Sequence, residues 1–236
     1  EDLPLLLETR AAIEALEARH TRGADASRRF LLLHRQRQWS AGEQRWIGWE
    51  RKRGKLEQLV ALLAGRPERP FMDLGACSQP REGTLYIVTL DADTVLPPGA
   101  LRELVGLAAH PLNQPRLGPD GSMQGQRVAA GYGILQPRIV SAWPVDAAGT
   151  DQATAFHWLF AGANGSDPYN AVASEVYQDV FGEGSFTGKG LLHVAALHAV
   201  LAGRLPEGQV LSHDLVEGCF TRCPSVSAVA LIEPAP

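Results

Sequence analysis

Lysine is scarce in this chain: Lys52, Lys55 and Lys189 are the only three in 236 residues, and arginine carries the rest of the positive charge. The formal net charge is −4, so the basic excess that a nucleic-acid partner requires is missing. The three lysines instead stand out as point charges suited to an anion. Cysteine is rare too. Cys77, Cys219 and Cys223 form an odd set, and no second Cys/His cluster completes a zinc site, which excludes a disulfide scaffold and points to a reducing compartment. No run reaches the ~18 consecutive apolar residues of a membrane-spanning helix. The acidic opening "EDLPLLLETR" lacks the basic and then apolar order of a secretory leader. No internal repeat is present.

What remains is an ordinary globular composition, 45% hydrophobic and 20% charged, long enough for one large domain. Apolar residues at helical spacing predict a helix over 3–20. "RFLLLHR", 29–35, has the length of a buried strand, "RQWSAGEQR" reads as a polar loop, and the spacing of Leu56, Leu59, Val60 and Leu63 predicts a helix within 46–65. The β-branched run in "LYIVTLDADTVL", 85–96, predicts a strand, and the prolines after it open a helix that runs to His110. The stretch 111–125 reads as loop and 128–140 as a strand interrupted by glycines. "TDQATAFHWLFAGA" and "NAVASEVYQDVFG" look helical, "GEGSFTGKGLL" is a glycine-rich loop, and "HVAALHAVLAG" is a short helix. A further helix starts near Asp214 with Ser212 as its cap, and "SVSAVALIE" is a closing strand. Strands alternating with helices imply a mostly parallel sheet flanked by helices, with ligands at the carboxyl ends of its strands.

Asp91 and Asp93 lie at such an end. Three readings are open: a turn in which Asp93 or Thr94 caps the next helix, the nucleophile pair of a haloacid-dehalogenase-type phosphatase, or a clamp for a hard divalent cation and a sugar nucleotide. "DADTV" satisfies the phosphatase pattern literally, but it sits mid-chain, Lys189 is the only later lysine, and no Gly-Asp-x-x-x-Asp follows.

Longer blocks discriminate further. "RFLLLHRQRQW", "GWERKRGKLEQL", "YIVTLDADT", "HPLNQPR", "GYGILQPRI", "DPYNAVASEVYQDVFGEGSFTGKG" and "LSHDLVEG" together resemble the glycosyltransferase domain of bacterial cyclic β-1,2-glucan synthases, glycosyltransferase family 84, over residues 28–233. The resemblance implies a GT-A-like, Rossmann-like sheet, incomplete on its N-terminal side. It implies a single domain over 1–236, with a donor-side half to residue 110 and an acceptor-side half from 111.

It also implies roles. Asp91 and Asp93 would bind UDP-glucose through Mg²⁺ or Mn²⁺, with Lys52 and Lys55 beside the diphosphate, while Asp214 would be the general base of an inverting transfer to O2 of a β-1,2-glucan acceptor. Glu183, Phe186, Lys189 and Tyr169 would line the acceptor. His213 stands where related enzymes carry an acidic neighbour. The opening strands of a GT-A domain, flanking membrane helices and a phosphorylase-like region are all missing, so the chain is expected to be an excised, weakly binding piece of an inner-membrane enzyme that faces the cytoplasm. Other donors, or an inactive glycan-binding module, are the alternatives of other class.

Overall fold

The predicted first helix is present as α1, Leu3–His20, and the predicted last strand as Ser225–Glu233. These bounds come from a computed structural model that describes residues 3–20, 28–122, 125–142, 155, 159, 176–210 and 213–233. By packing, the chain forms two compact units, residues 1–84 with 206–209, and residues 85–205 with 210–236. This cut differs from the functional halves anticipated at residue 110.

In the first unit, Leu6 of α1 packs on Leu74 and Cys77, with Ile13, Leu32 and Met72 around them. The strand expected at 29–35 is not a ladder: one bridge joins Arg35 to Phe71, and single backbone bonds tie Leu32 to Cys77 and Met72 to His34, both at 2.8 Å. "RQWSAGEQR", expected as loop, is a hairpin of β1, Gln38–Ser40, and β2, Arg45–Ile47, in which Trp39 faces Trp46 edge-on at 6.1 Å. Helix α2 spans Arg51–Leu63. It starts after Glu50, whose positive φ keeps the helix from extending back toward residue 46. Gly54 lets its first turn close, since an added Cβ would lie 2.1 Å from the Trp49 carbonyl oxygen. Arg53 is buried between Glu50 and Glu57, at 2.6 and 3.0 Å.

The second unit is built on a four-stranded sheet of β3 (Tyr86–Thr89), β6 (Ile134–Ser141), β7 (Gly190–His193) and β8, the closing strand, in the order β3-β7-β6-β8. β4 (Arg116–Pro119) and β5 (Gln126–Ala130) form a separate hairpin. The mostly parallel sheet expected from the sequence is corrected here: β7 pairs antiparallel with both β3 and β6, and only β6 and β8 pair parallel. The reversal is confined to one strand, because two successive antiparallel pairings return β3 and β6 to the same direction. The carboxyl ends of β3, β6 and β8 therefore share one edge of the sheet, which they share with the amino end of β7.

The central strands are buried on both faces, with successive residues of β6 and of β7 out of solvent. On one face α3, Ala100–Ala109, lays Ala100, Leu104 and Ala108 at i, i+4 spacing on Leu135, Leu191 and Val229. Full burial of each such leucine contributes on the order of 2 kcal/mol. A second cluster joins Ala196 and Val200 of α5, Val194–Leu201, to Val128 of β5 and Phe220 of α6, Asp214–Thr221. The short α4, Val176–Phe181, precedes β7 in the chain. Of the two helices expected over 151–182 only this part, with residues 155 and 159, falls within the described residues, and Ser212 falls outside them.

Candidate functional site

The chain leaves β3 through Asp91, Ala92 and Asp93 in a tight turn. The Thr94 amide donates to the Asp91 carbonyl at 3.2 Å, and the Asp91 amide donates to Thr94 Oγ1 at 3.3 Å. The chain then crosses the carboxyl edge of the sheet and bridges Val95 to Ile232 of β8. Neither Asp93 nor Thr94 caps the next helix, since α3 begins after Gly99 with no side-chain cap. The capping reading fails on that geometry, and Asp93 is exposed.

Lys189, at the entry to β7, is brought to the same edge. Its Nζ lies 3.2 Å from Asp91 Oδ2 and in direct contact with Glu233 Oε1, the last residue of β8. Glu233 Oε1 also accepts the Thr94 hydroxyl at 3.3 Å. The lysine side chain is only 18% exposed. Burial alone would push its pKa down, but the bonds to Glu233 and Asp91 outweigh burial and hold it above the ordinary lysine value. Three strand ends and one ammonium therefore form a single cluster. Lys189 was expected on the acceptor side, and the contacts the structure gives it are with Asp91 and Glu233.

The glycine-rich stretch before β7 positions this lysine. Gln136, 1% exposed in β6, accepts from the Thr187 amide at 3.0 Å and from its hydroxyl at 3.3 Å. Gly190 is a packing glycine, because a Cβ there would meet the Leu135 carbonyl at 2.5 Å. Gly188 has φ +88°, and a methyl group on it would lie 3.0 Å from Oδ2 of Asp214 and 3.2 Å from Oδ1. Consecutive residues 188 and 189 thus touch Asp214 on one side and Asp91 on the other.

Asp214 is the first residue of α6, with 27% of its side chain exposed. Behind it, His213 Nδ1 lies 3.4 Å from Asp214 Oδ1 and 3.0 Å from Glu217 Oε1. His213 and Glu217 are buried, 9% and 5% exposed. Potential ligand atoms of His213, Asp214 and Glu217 fall within 4.8 Å of one another, so these three, like Asp91 and Glu233, present the donor atoms a metal ion uses.

The other expected residues are placed differently. Phe186 is 1% exposed and packs against Gly218, which makes it a core ring and not an open platform for a sugar. Glu183 is paired to Arg222 Nε at 2.7 Å, and Arg222 stacks on Tyr132 at 5.2 Å. Lys52 and Lys55 are exposed on α2 of the other unit. Tyr169 lies outside the described residues. Sequence reasoning passed over Glu233, Gln136 and Glu217. Two of them carried a usable signal: Glu233 is a carboxylate at a strand end, as Asp91 is, and Glu217 stands four residues after His213 on a helix.

The strand ends of this mixed α/β sheet thus bring Asp91, Glu233 and Lys189 together where such sheets commonly place ligands, with the partly open Asp214 at a helix start beside them. No protein-family model matches the chain. It is 45% identical over 235 residues, the whole of this chain, to the cyclic beta-(1,2)-glucan synthase NdvB of Rhizobium meliloti (strain 1021). The chain is thus homologous to part of a glucan synthase, and it spans 8% of that protein's length. No helix among the described residues is long and apolar enough to cross a membrane.

Proposed function

We propose that the chain carries the donor carboxylates and the general base of an inverting, GT-A-type glucosyltransferase. In this reading it moves glucose from UDP-glucose to O2 of the terminal residue of a growing β-1,2-glucan, as part of a longer enzyme at the cytoplasmic face of the inner membrane. The observation that carries the reading is the meeting of Asp91 and Asp214 on the adjacent residues Lys189 and Gly188. The 45% identity to a glucan synthase supports the class of reaction.

The chemistry follows from the two carboxylate environments. Asp214, partly open, takes the proton from the acceptor hydroxyl as the new bond to the anomeric carbon forms. The bond from that carbon to the diphosphate breaks at the same time, and its electron pair leaves with the diphosphate on the opposite face, which inverts the configuration. A base acting this late needs no strongly raised pKa.

At the donor side, Asp91 and Glu233 already enclose a cation, the Lys189 ammonium, so this set of carboxylate oxygens fits a hard cation. Mg²⁺ or Mn²⁺ held by Asp93 and Asp91 would supply charge neutralisation of the leaving diphosphate. Lys189 adds a fixed positive charge to that side. Tyr169 and Glu183 are assigned to the glucan.

The phosphatase reading gains one observation, since a lysine does sit on Asp91. It predicts a covalent acyl-phosphate at Asp91, and it makes no use of Asp214. Replacing Asp214 with Asn in the full-length protein separates the two readings. Loss of glucan elongation is expected, and elongation at the normal rate removes Asp214 from the reaction.

A further inference from the structure

The carboxylate assigned as base does not stand alone. Asp214 opens α6, His213 precedes it, and Glu217 follows one helical turn later, so that all three side chains gather at one end of the helix. The single atom His213 Nδ1 faces both carboxylates, 3.0 Å from Glu217 Oε1 and 3.4 Å from Asp214 Oδ1. Both are close contacts, and neither has the geometry of a hydrogen bond.

Glu217 is the nearer partner and the more deeply buried one, with 6% of its side chain exposed against 27% for Asp214. The outer carboxylate is open to a substrate and the inner one is not. Of the two Asp214 oxygens, Oδ1 is turned to the imidazole, whereas Oδ2 is the atom closest to the space above Gly188.

We infer that Glu217 is a positioning residue which acts through His213. Its buried carboxylate fixes the edge of the imidazole against Asp214 Oδ1 and leaves Oδ2 for the acceptor hydroxyl. The inference rests on the reading of Asp214 as the base and extends it to a residue that touches no substrate. When Oδ2 takes the acceptor proton, Oδ1 keeps its imidazole partner, so the carboxyl group stays oriented through bond formation and through release of that proton.

The test compares glucan elongation by the full-length protein carrying Glu217→Gln, His213→Asn, both together, or Asp214→Asn. Glu217→Gln keeps the shape of the buried side chain while removing its charge. It is expected to lower kcat about tenfold to hundredfold, the loss typical of a disturbed orienting partner, with KM for UDP-glucose unchanged. Since Glu217 acts only through His213, the double variant is expected to be no slower than His213→Asn alone. Effects that multiply, or a Glu217→Gln enzyme with normal kcat, overturn the inference. A rise in KM with kcat unchanged also overturns it, because that pattern marks a loss of binding. If Glu217→Gln is normal while Asp214→Asn is inactive, only this inference falls. If Asp214→Asn keeps its activity, the reading of the base falls with it.

Discussion

Replacing Gly188 with alanine perturbs the proposed base through one methyl group, and the structure gives the size of both consequences. The first is conformational. At φ +88° an L-residue costs about 1–2 kcal/mol relative to glycine, wherever the side chain points. The second is local. The new Cβ would lie 3.0 Å from Asp214 Oδ2 and 3.2 Å from its Cγ, closer than ordinary van der Waals contact, so the carboxylate must move by a few tenths of an ångström or more. Reacting groups tolerate about 0.5 Å of error, and a shift near 1 Å costs about a hundredfold in rate.

Gly203 supplies the control. It has φ +65° and nothing within 4 Å of an added Cβ, so Gly203→Ala carries the backbone cost and no collision. Urea denaturation is expected to show a similar loss of about 1–2 kcal/mol for both variants. Transfer of labelled glucose is expected to fall about threefold to tenfold for Gly188→Ala and to stay normal for Gly203→Ala. A Gly188→Ala enzyme that transfers at the normal rate would show that the space beside Asp214 Oδ2 is not where the acceptor reacts.

His193 caps α5 by accepting the Ala196 amide on Nδ1 at 3.2 Å, and burial holds its pKa below the ordinary histidine value. A depressed histidine contributes stability that is present above its unfolded pKa, about 6.5, and is lost as pH falls through the lower folded value; His193→Asn, which can still cap, is expected to flatten that slope in urea titrations between pH 7 and 5. Gln136→Leu removes the acceptor for the partly buried Thr187 amide and is expected to cost about 1 kcal/mol. Faster hydrogen exchange at the Thr187 amide would confirm the cause, and unchanged exchange would refute it.

What the sequence made legible depended on how local each signal was. α1, α3, β3 and β8 were readable because a single apolar period or β-branched run covers each of them. β7 was not, because Gly188 and Gly190 look like punctuation. Gly190 is in fact a glycine for a reason that lies in another strand, the approach of the Leu135 carbonyl. The β4–β5 hairpin was also missed. Pro115, Gly118 and Pro119 mask its first strand, and Val128 is the one residue of β4 and β5 that is fully buried.

The same lost strand explains why the contact of Lys189 with Asp91 was not foreseen. Asp91 and Asp93 stand out by their place at a strand end, whereas the role expected of Asp214 came from the resemblance. That Lys189 faces Asp91 follows from β7 lying between β3 and β6, which no local pattern encodes. Phe186 likewise looked like a sugar platform because it stands in a polar, glycine-rich loop, whereas tertiary packing turns it onto Gly218.

The central claim is that donor carboxylates and base act from the two sides of the Gly188–Lys189 step. It is tested most directly by measuring binding and chemistry separately in Asp214→Asn: Mn²⁺-dependent UDP-glucose binding and glucan elongation, on the same full-length preparation. The account predicts donor binding at the normal affinity with elongation abolished. Elongation that persists, or donor binding that is lost together with it, would contradict the assignment of Asp214 as the base.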